Sequence, residues 1–356
     1  MRRALALARQ GEGHVHPNPM VGAVLAKGGR VLSEGAHERF GSAHAEVNAL
    51  KKFKKVPVGS TLYVTLEPCA HFGKTPPCAD FLLEKGLRRV VVAMKDPNSK
   101  VAGRGIQKLK KQGVSVRVGL LEKEARTMNR FYIHWIKTRR PYVTVKVGQS
   151  LDGKIATRTG RSKWITGEDS RRRAHVLRRS ADAILVGVNT VFKDNPLLSV
   201  RLPGQCSQPL KVVLDATLKT KPSSAIFSSK SPGKVLIFTT RRAQALRGRA
   251  LSGKAELFSV PEKKKGLLNW RAVLKELGRR GIVHLLVEGG GEILGSLFSE
   301  NRVQEAYFFM APRIVGGRGA VGSVGGEGVS EISHAARFKR WSSERVGEDL
   351  LFHGVL

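Results

Sequence analysis

Cysteine is scarce in this sequence: three in 356 residues, too few and too odd in number for a disulfide framework, so a reducing compartment and a metal or catalytic use are expected. Acidic side chains are scarce as well. Only 28 Asp and Glu face 63 Lys and Arg, a formal net charge of +35, and such a field attracts anions, either phosphorylated small molecules or nucleic acid. The basic residues fall in scattered short runs, among them KKFKK at 51–55, RRR at 171–173 and KKK at 263–265. That scatter suits a solvated surface and leaves nucleic acid only non-specific charge contacts. No stretch approaches the roughly 20 apolar residues that span a bilayer. The opening MRRALALARQ has an apolar part too short and interrupted for a signal peptide, and its leucines keep helical spacing. A cytoplasmic protein without a membrane segment is the expectation.

What is present is enough for two cores. Hydrophobic residues make up 41% of the chain, and its length exceeds what one core fills. After the first helix, VGAVLAKGGRVLSEGAH reads as two strands joined by a Lys-Gly-Gly turn. HAEVNALKKF (helix), STLYVTLEP (strand), CADFLLEKG (helix), RRVVVAM (strand), GIQKLKKQG (helix), VSVRVG (strand) and one long helix, LEKEARTMNRFYIHWIKT, follow. Helices alternating with strands predict an α/β layered domain with a largely parallel sheet. Past KTRRP the pattern restarts, with strands at YVTVKVGQSLDGKIA, DAILVG, LKVVLD, KVLIFTT, VHLLVEGG and EAYFFMAP and helices at SRRRAHVLRRS and GEILGSLFSE. Two domains are expected, residues 1–139 and 140–356.

Two of the cysteines carry the first chemical signal. Cys69 and Cys78 bracket EPCAHFGKTPPC, and upstream His44 and Glu46 open HAEVNAL. Cys78 and His44 fall at helix starts, where positive potential favours thiolates. Three ligands, His44, Cys69 and Cys78, leave the fourth tetrahedral position of one Zn²⁺ free for water, which is the plan of a catalytic site. Zinc lowers the pKa of such water toward about 7, and Glu46, unable to point with His44 from a regular helix, is the expected proton carrier. The order His-x-Glu then Pro-Cys…Cys is the zinc deaminase signature.

The eight residues between the cysteines depart from the usual Cys-x-x-Cys. NPMVGAV, HAEVNAL, VTLEPCAHFGKTPPC and DPNSKVAGRG together resemble the N-terminal domain of the bifunctional riboflavin-biosynthesis deaminase/reductase family. The resemblance implies a cytidine-deaminase-like three-layer fold and a diaminopyrimidinone substrate carrying ribose 5-phosphate. It further implies that Asn18, His37, His71 and Lys74 line the substrate pocket, with Asp96 and Asn98 near the ribose phosphate. Asn18 suits a pyrimidine edge because its amide both donates and accepts. Lys74 offers a cation, and the turn from Gly103 to Gly105 offers backbone N–H groups to a phosphate. Members of the family carry a few residues ahead of this methionine, so a first helix shortened at its start is expected.

VKVGQSLDGKIA, SKWITGEDSRRRAHVLRR, DAILVGVNTVFKDNPLLSVRLP and VEGGGEILGSLF resemble the second domain of the same family. That likeness implies a dihydrofolate-reductase-like fold that uses NADPH to reduce ribosyl to ribityl. It places Gly148, Trp164, Thr190, Asp194, Gly290, Gly291, Glu292, Ile293, Leu294, Gly295 and Ser296 against the cofactor. Ser162, Arg178, Leu198, Arg201 and Glu288 would hold the substrate, with Arg178 and Arg201 able to fork a phosphate. Lys146, Asp194 and Glu288 are the candidate acids during hydride transfer. The glycines of EGGGEILG sit between strand and helix, where backbone can approach a pyrophosphate, although no G-x-G-x-x-G fingerprint is present. A homo-oligomer is the expected assembly. Two competing readings are a nucleic-acid base deaminase, which the lack of an aromatic stacking surface opposes, and a binding protein with structural zinc, which the open position and Glu46 oppose.

Overall fold

The computed structural model describes the chain apart from residues 73–75, 100, 205, 206 and 265. It divides into two compact units, Met1–Arg139 and Arg140–Leu356. Among the described residues no helix is long and apolar enough to cross a membrane.

The first unit runs α1 (Arg2–Ala8), β1 (Gly22–Lys27), β2 (Arg30–Ala36), α2 (Ala45–Leu50), β3 (Thr61–Leu66), α3 (Cys78–Glu84), β4 (Arg89–Met94), α4 (Arg104–Lys111), β5 (Ser115–Val118), α5 (Glu122–Met128) and α6 (Arg130–Thr138). The sheet order is β2-β1-β3-β4-β5. The β1/β2 hairpin and the β1/β3 pair are antiparallel, and only β3/β4/β5 are parallel, so the sheet is mixed where a largely parallel one was expected. Successive strand residues face opposite sides. A Cβ on Gly22 would meet Ala4 of α1 and one on Gly35, opposite Ala23, would meet Ala45 of α2. Helices therefore cover both faces, which makes three layers.

The long C-terminal helix expected in this unit is instead two, α5 and α6, broken at Asn129. The side chain of Asn129 is buried, and its amide accepts from Met20 N at 2.8 Å and donates to Met20 O at 3.0 Å. The backbone at Asn129 departs from helical angles (φ −97°, ψ 19°) while its N–H still donates to Ala125 O and its carbonyl accepts from Ile133 N, so the junction is a kink that the buried amide ties to Met20.

The second unit contains β6 (Tyr142–Ser150), β7 (Lys154–Ala156), α7 (Glu168–Arg179), β8 (Ala183–Gly187), α8 (Val188–Asp194), β9 (Leu210–Leu214), β10 (Val235–Thr239), α9 (Arg241–Arg247), β11 (Glu256–Ser259), β12 (Glu262–Lys264), β13 (Leu267–Leu268), α10 (Trp270–Arg279), β14 (His284–Val287), α11 (Gly291–Ser299), β15 (Glu305–Ala311), β16 (Val321–Gly322), β17 (Arg340–Val346) and β18 (Asp349–Val355). Nine strands form one sheet in the order β11-β10-β9-β8-β14-β6-β15-β18-β17, parallel except for the closing β15/β18/β17 pairs. Along β8, Ala183 and Leu185 enter one core while Ile184 and Val186 enter another. Strands buried on both faces explain the nearly unbroken apolar runs of the sequence.

Candidate active sites

In the first unit, three elements converge. His44 is the N-cap of α2, Cys78 is the first residue of α3, and Cys69 follows β3. Their ligand atoms lie within 4.8 Å of one another, with His44 Nδ1 3.1 Å from Cys78 Sγ and 3.7 Å from Cys69 Sγ. A tetrahedral Zn²⁺ with ordinary bond lengths needs about 3.6 Å between such atoms, so this donor set fits the ion. The backbone N–H of Cys78 donates to Cys69 Sγ at 3.3 Å. Hydrogen bonding from Cys78 and from His44 holds the Cys69 thiol well below its ordinary pKa, against the effect of burial. Glu46 is 3% exposed. Burial lifts its carboxyl to about 7, opposed by His44.

Around this cluster, His37 is buried and both of its ring nitrogens are engaged. Nδ1 pairs with the carbonyl oxygen of Ala43 at 3.1 Å, which makes Nδ1 the protonated nitrogen; Nε2 then accepts from Asn18 Nδ2 at 3.1 Å. His37 thus orients Asn18, leaving the amide oxygen of Asn18 for a ligand. His71 is exposed and its charge bears on Asp96, whose pKa is raised chiefly by burial. Asp96 Oδ1 accepts from Asn98 N at 2.8 Å and from Tyr132 Oη at 3.2 Å. Lys74 lies outside the described residues, as does Cys206, the third cysteine of the sequence. The turn at Gly103 and Gly105, expected to present its N–H groups to a phosphate, gives them to the Glu67 carboxylate.

In the second unit, register sets the centre. Val287 of β14 pairs with Val145 of β6, so the next residues, Glu288 and Lys146, stand side by side at 3.0 Å. Arg178, in the last turn of α7, forks Glu288 with bonds of 2.6 and 2.8 Å and donates to Ser199 O at 3.1 Å. Burial would raise the Glu288 pKa, yet Arg178 and then Lys146 outweigh it and hold the carboxylate far below its usual range. Arg178, expected to fork a phosphate, is thus already occupied by Glu288. Arg201 is exposed and reaches Ser199 Oγ at 3.5 Å. Sequence reasoning missed His175, three residues before Arg178 on the same face of α7, whose Nδ1 accepts from Arg201 N at 3.3 Å. Burial, then Arg178 and Arg201, lower its pKa to about 4, so its imidazole is neutral. Ser162 Oγ donates to Asp194 Oδ1 at 2.7 Å. Leu198 is buried, which leaves its backbone for a ligand.

The glycine-rich turn after β14 divides its work. Gly290 caps α11, and a Cβ there would sit 3.9 Å from Thr190 Oγ1, an open cradle of the kind a pyrophosphate fills at a helix N-terminus. Gly291 and Gly295 serve packing instead: a Cβ on either would lie 2.6 Å from Gly322 O or 2.0 Å from Gly325 O. Leu294 is fully buried and Ile293 packs on the core, so these two can offer only backbone. Ser296 Oγ accepts from Trp270 Nε1 and donates to Ile293 O, both at 2.9 Å, a structural engagement where a cofactor contact was expected. Glu292 lies against the Gly325 segment. Gly148 of β6 packs beside Thr166, and Trp164 is exposed with the Arg171 guanidinium 4.6 Å above its ring.

A three-donor metal site with a buried acid, joined in one chain to a parallel-sheet unit with a helix-capped cradle, defines a zinc deaminase fused to a reductase. Family models agree: residues 1–94 match the cytidine and deoxycytidylate deaminase zinc-binding region, and residues 141–352 match the RibD C-terminal domain. The chain is 41% identical to the riboflavin biosynthesis protein RibD of Actinobacillus pleuropneumoniae over 100% of this chain and 94% of that one. It is also 41% identical to the Aquifex aeolicus RibD, over 99% and 96%. Among solved structures, Acinetobacter baumannii RibD superposes with a TM-score of 0.88 at 30% identity, covering 99% of this chain and 97% of that one. The Thermotoga maritima diaminohydroxyphosphoribosylaminopyrimidine deaminase/5-amino-6-(5-phosphoribosylamino)uracil reductase does so at 0.85 and 34%, covering 100% and 97%. The chain belongs to the RibD family and is a bifunctional riboflavin-biosynthesis deaminase and reductase that uses zinc and NADPH. The nucleic-acid deaminase reading is not favoured, because the second unit is accounted for as the family's reductase.

Proposed function

We propose that the first unit deaminates 2,5-diamino-6-(5-phosphoribosylamino)pyrimidin-4(3H)-one and the second reduces the ribosyl group of the product, 5-amino-6-(5-phosphoribosylamino)uracil. The observation that carries the residue roles is the convergence of His44, Cys69 and Cys78 beside the buried Glu46. Zinc held by these three supplies a Lewis acid that makes water nucleophilic near neutrality. Glu46, too deep to be solvated, takes the proton released there and delivers it to the departing amine. Asn18, fixed by His37, reads the pyrimidine edge, while His71, Lys74, Asp96 and Asn98 address the ribose phosphate end.

Gly290, with Thr190 alongside, would hold the phosphates of NADPH, which when bound would supply the hydride that reduces the ribosyl group. Glu288 stays ionised between Arg178 and Lys146, which disqualifies it as the proton donor. Lys146 is then the acid for the opening ribose, and Glu288 aligns it. Arg201 takes the phosphate that Arg178 cannot, and Asp194 holds Ser162 toward substrate. Purified zinc-loaded protein should release ammonia from the diaminopyrimidinone ribotide and then oxidise NADPH with the deaminated product. Absence of ammonia release from fully zinc-loaded protein would refute the deaminase assignment of the first unit.

A further inference from the structure

The chain's own chemistry places a carboxylate, Glu67, where the family reading has no role for it. Glu67 directly follows β3, two residues before Cys69, and is 4% exposed. Its Oε2 accepts from Asp96 N at 3.2 Å and Gly103 N at 2.9 Å; its Oε1 accepts from Gly105 N at 3.0 Å and Ile106 N at 3.2 Å. Four backbone donors on one carboxylate include the first free N–H groups of α4, whose N-cap, Gly103, has no side chain to satisfy them. The same contact is closed sterically. A Cβ on Gly105 would sit 1.8 Å from the carbonyl oxygen of Pro68, so only glycine lets α4 approach the residue before Cys69.

From these two observations we infer that Glu67 is a positioning residue of the deaminase, a lock that fixes the segment carrying Asp96 and Asn98 against the turn that carries Cys69. The inference rests on the reading that Asp96 and Asn98 face the ribose phosphate. Asp96 is held twice, by its N–H on Glu67 and by its carboxylate on Tyr132 Oη and Asn98 N. Glu67 therefore acts through backbone, touches no reacting atom, and sets where the substrate's anionic end is received.

Glu67→Gln tests this, because its amide NH₂ would confront backbone N–H donors where a carboxylate oxygen accepted them. In the full zinc-loaded chain, the deaminase KM should rise on the order of tenfold, the loss of about one charge-assisted hydrogen bond's net contribution. The kcat, the zinc content and NADPH-dependent reduction should stay near the parent's. Asn98→Ala should raise KM similarly, and the double variant should exceed neither single by much, since both act through one segment. Glu67→Asp, which keeps the charge but shortens its reach, should raise KM less and serves if the Gln chain does not fold. An unchanged KM in the Glu67 variants while Asn98→Ala raises it overturns the lock; so does a fall in kcat and zinc at constant KM, which marks a purely structural role. If Asn98→Ala leaves KM unchanged, the placement of the segment at the substrate fails and takes the inference with it.

Discussion

Glu46 and Glu288 are both buried carboxyls, yet their surroundings drive them in opposite directions. Glu46 is lifted to about 7 by burial, which outweighs the opposing charge of His44. Replacing it by Gln keeps the shape and removes the capacity to carry a proton; ammonia release should fall by about 10²–10⁴-fold while NADPH oxidation with the uracil ribotide persists, as steady-state assays on one preparation will show. Glu288 is held ionised by Arg178 and Lys146. Its folded pKa lies below the unfolded value, so its contribution to stability is complete above about pH 4.5 and disappears as pH falls through the folded value. Glu288→Gln strands a buried guanidinium and should cost about 3–5 kcal/mol at pH 7. Urea unfolding of the full chain from pH 7 to 3.5 should find that difference narrowing below pH 4.5; a constant gap would contradict the charge assignment.

Among the elements, the break between α5 and α6 and the fit of α11 are the informative ones. Asn129→Ala removes both partners of the Met20 backbone, leaving a buried donor and acceptor unmet, each worth about 1–3 kcal/mol. Thermal unfolding should register the loss, with the first unit melting earlier. Gly295→Ala puts a methyl where Gly325 O now lies. The segment at 322–326 must then retreat from α11 at a cost of about 1–3 kcal/mol. Titration with NADPH should show weaker binding, since the start of α11 carries the Gly290 cradle; unchanged affinity would separate the packing of α11 from its cofactor role.

At the scale of the whole molecule, two chemistries share one chain and should be separable by their requirements. Removing zinc with a chelator should abolish ammonia release and leave hydride transfer intact, and added Zn²⁺ should restore the first activity without altering the second. The formal charge of +35 fits substrates that carry a phosphate at both steps. Raising ionic strength should therefore lower kcat/KM for both reactions through KM, because screening acts on the encounter of opposite charges.

Sequence by itself determined the candidate donor set, which the fold brings within 4.8 Å, and the two-part plan. His44, Glu46, Cys69 and Cys78 are legible because zinc chemistry demands particular atoms at the ends of particular elements, and the alternating apolar runs announce strands buried on both faces. Only the tertiary structure decided which polar groups are still available. Gly103 and Gly105 looked like phosphate donors until Glu67, 36 and 38 positions away, was found to hold their N–H groups. Arg178 looked free until Glu288, 110 positions on, was found in its fork, and Ser296 until Trp270 was found on its hydroxyl. Local pattern reports what a side chain can do, whereas hydrogen-bonding capacity is finite and its allocation depends on which distant residues the sheet registers bring within 3 Å.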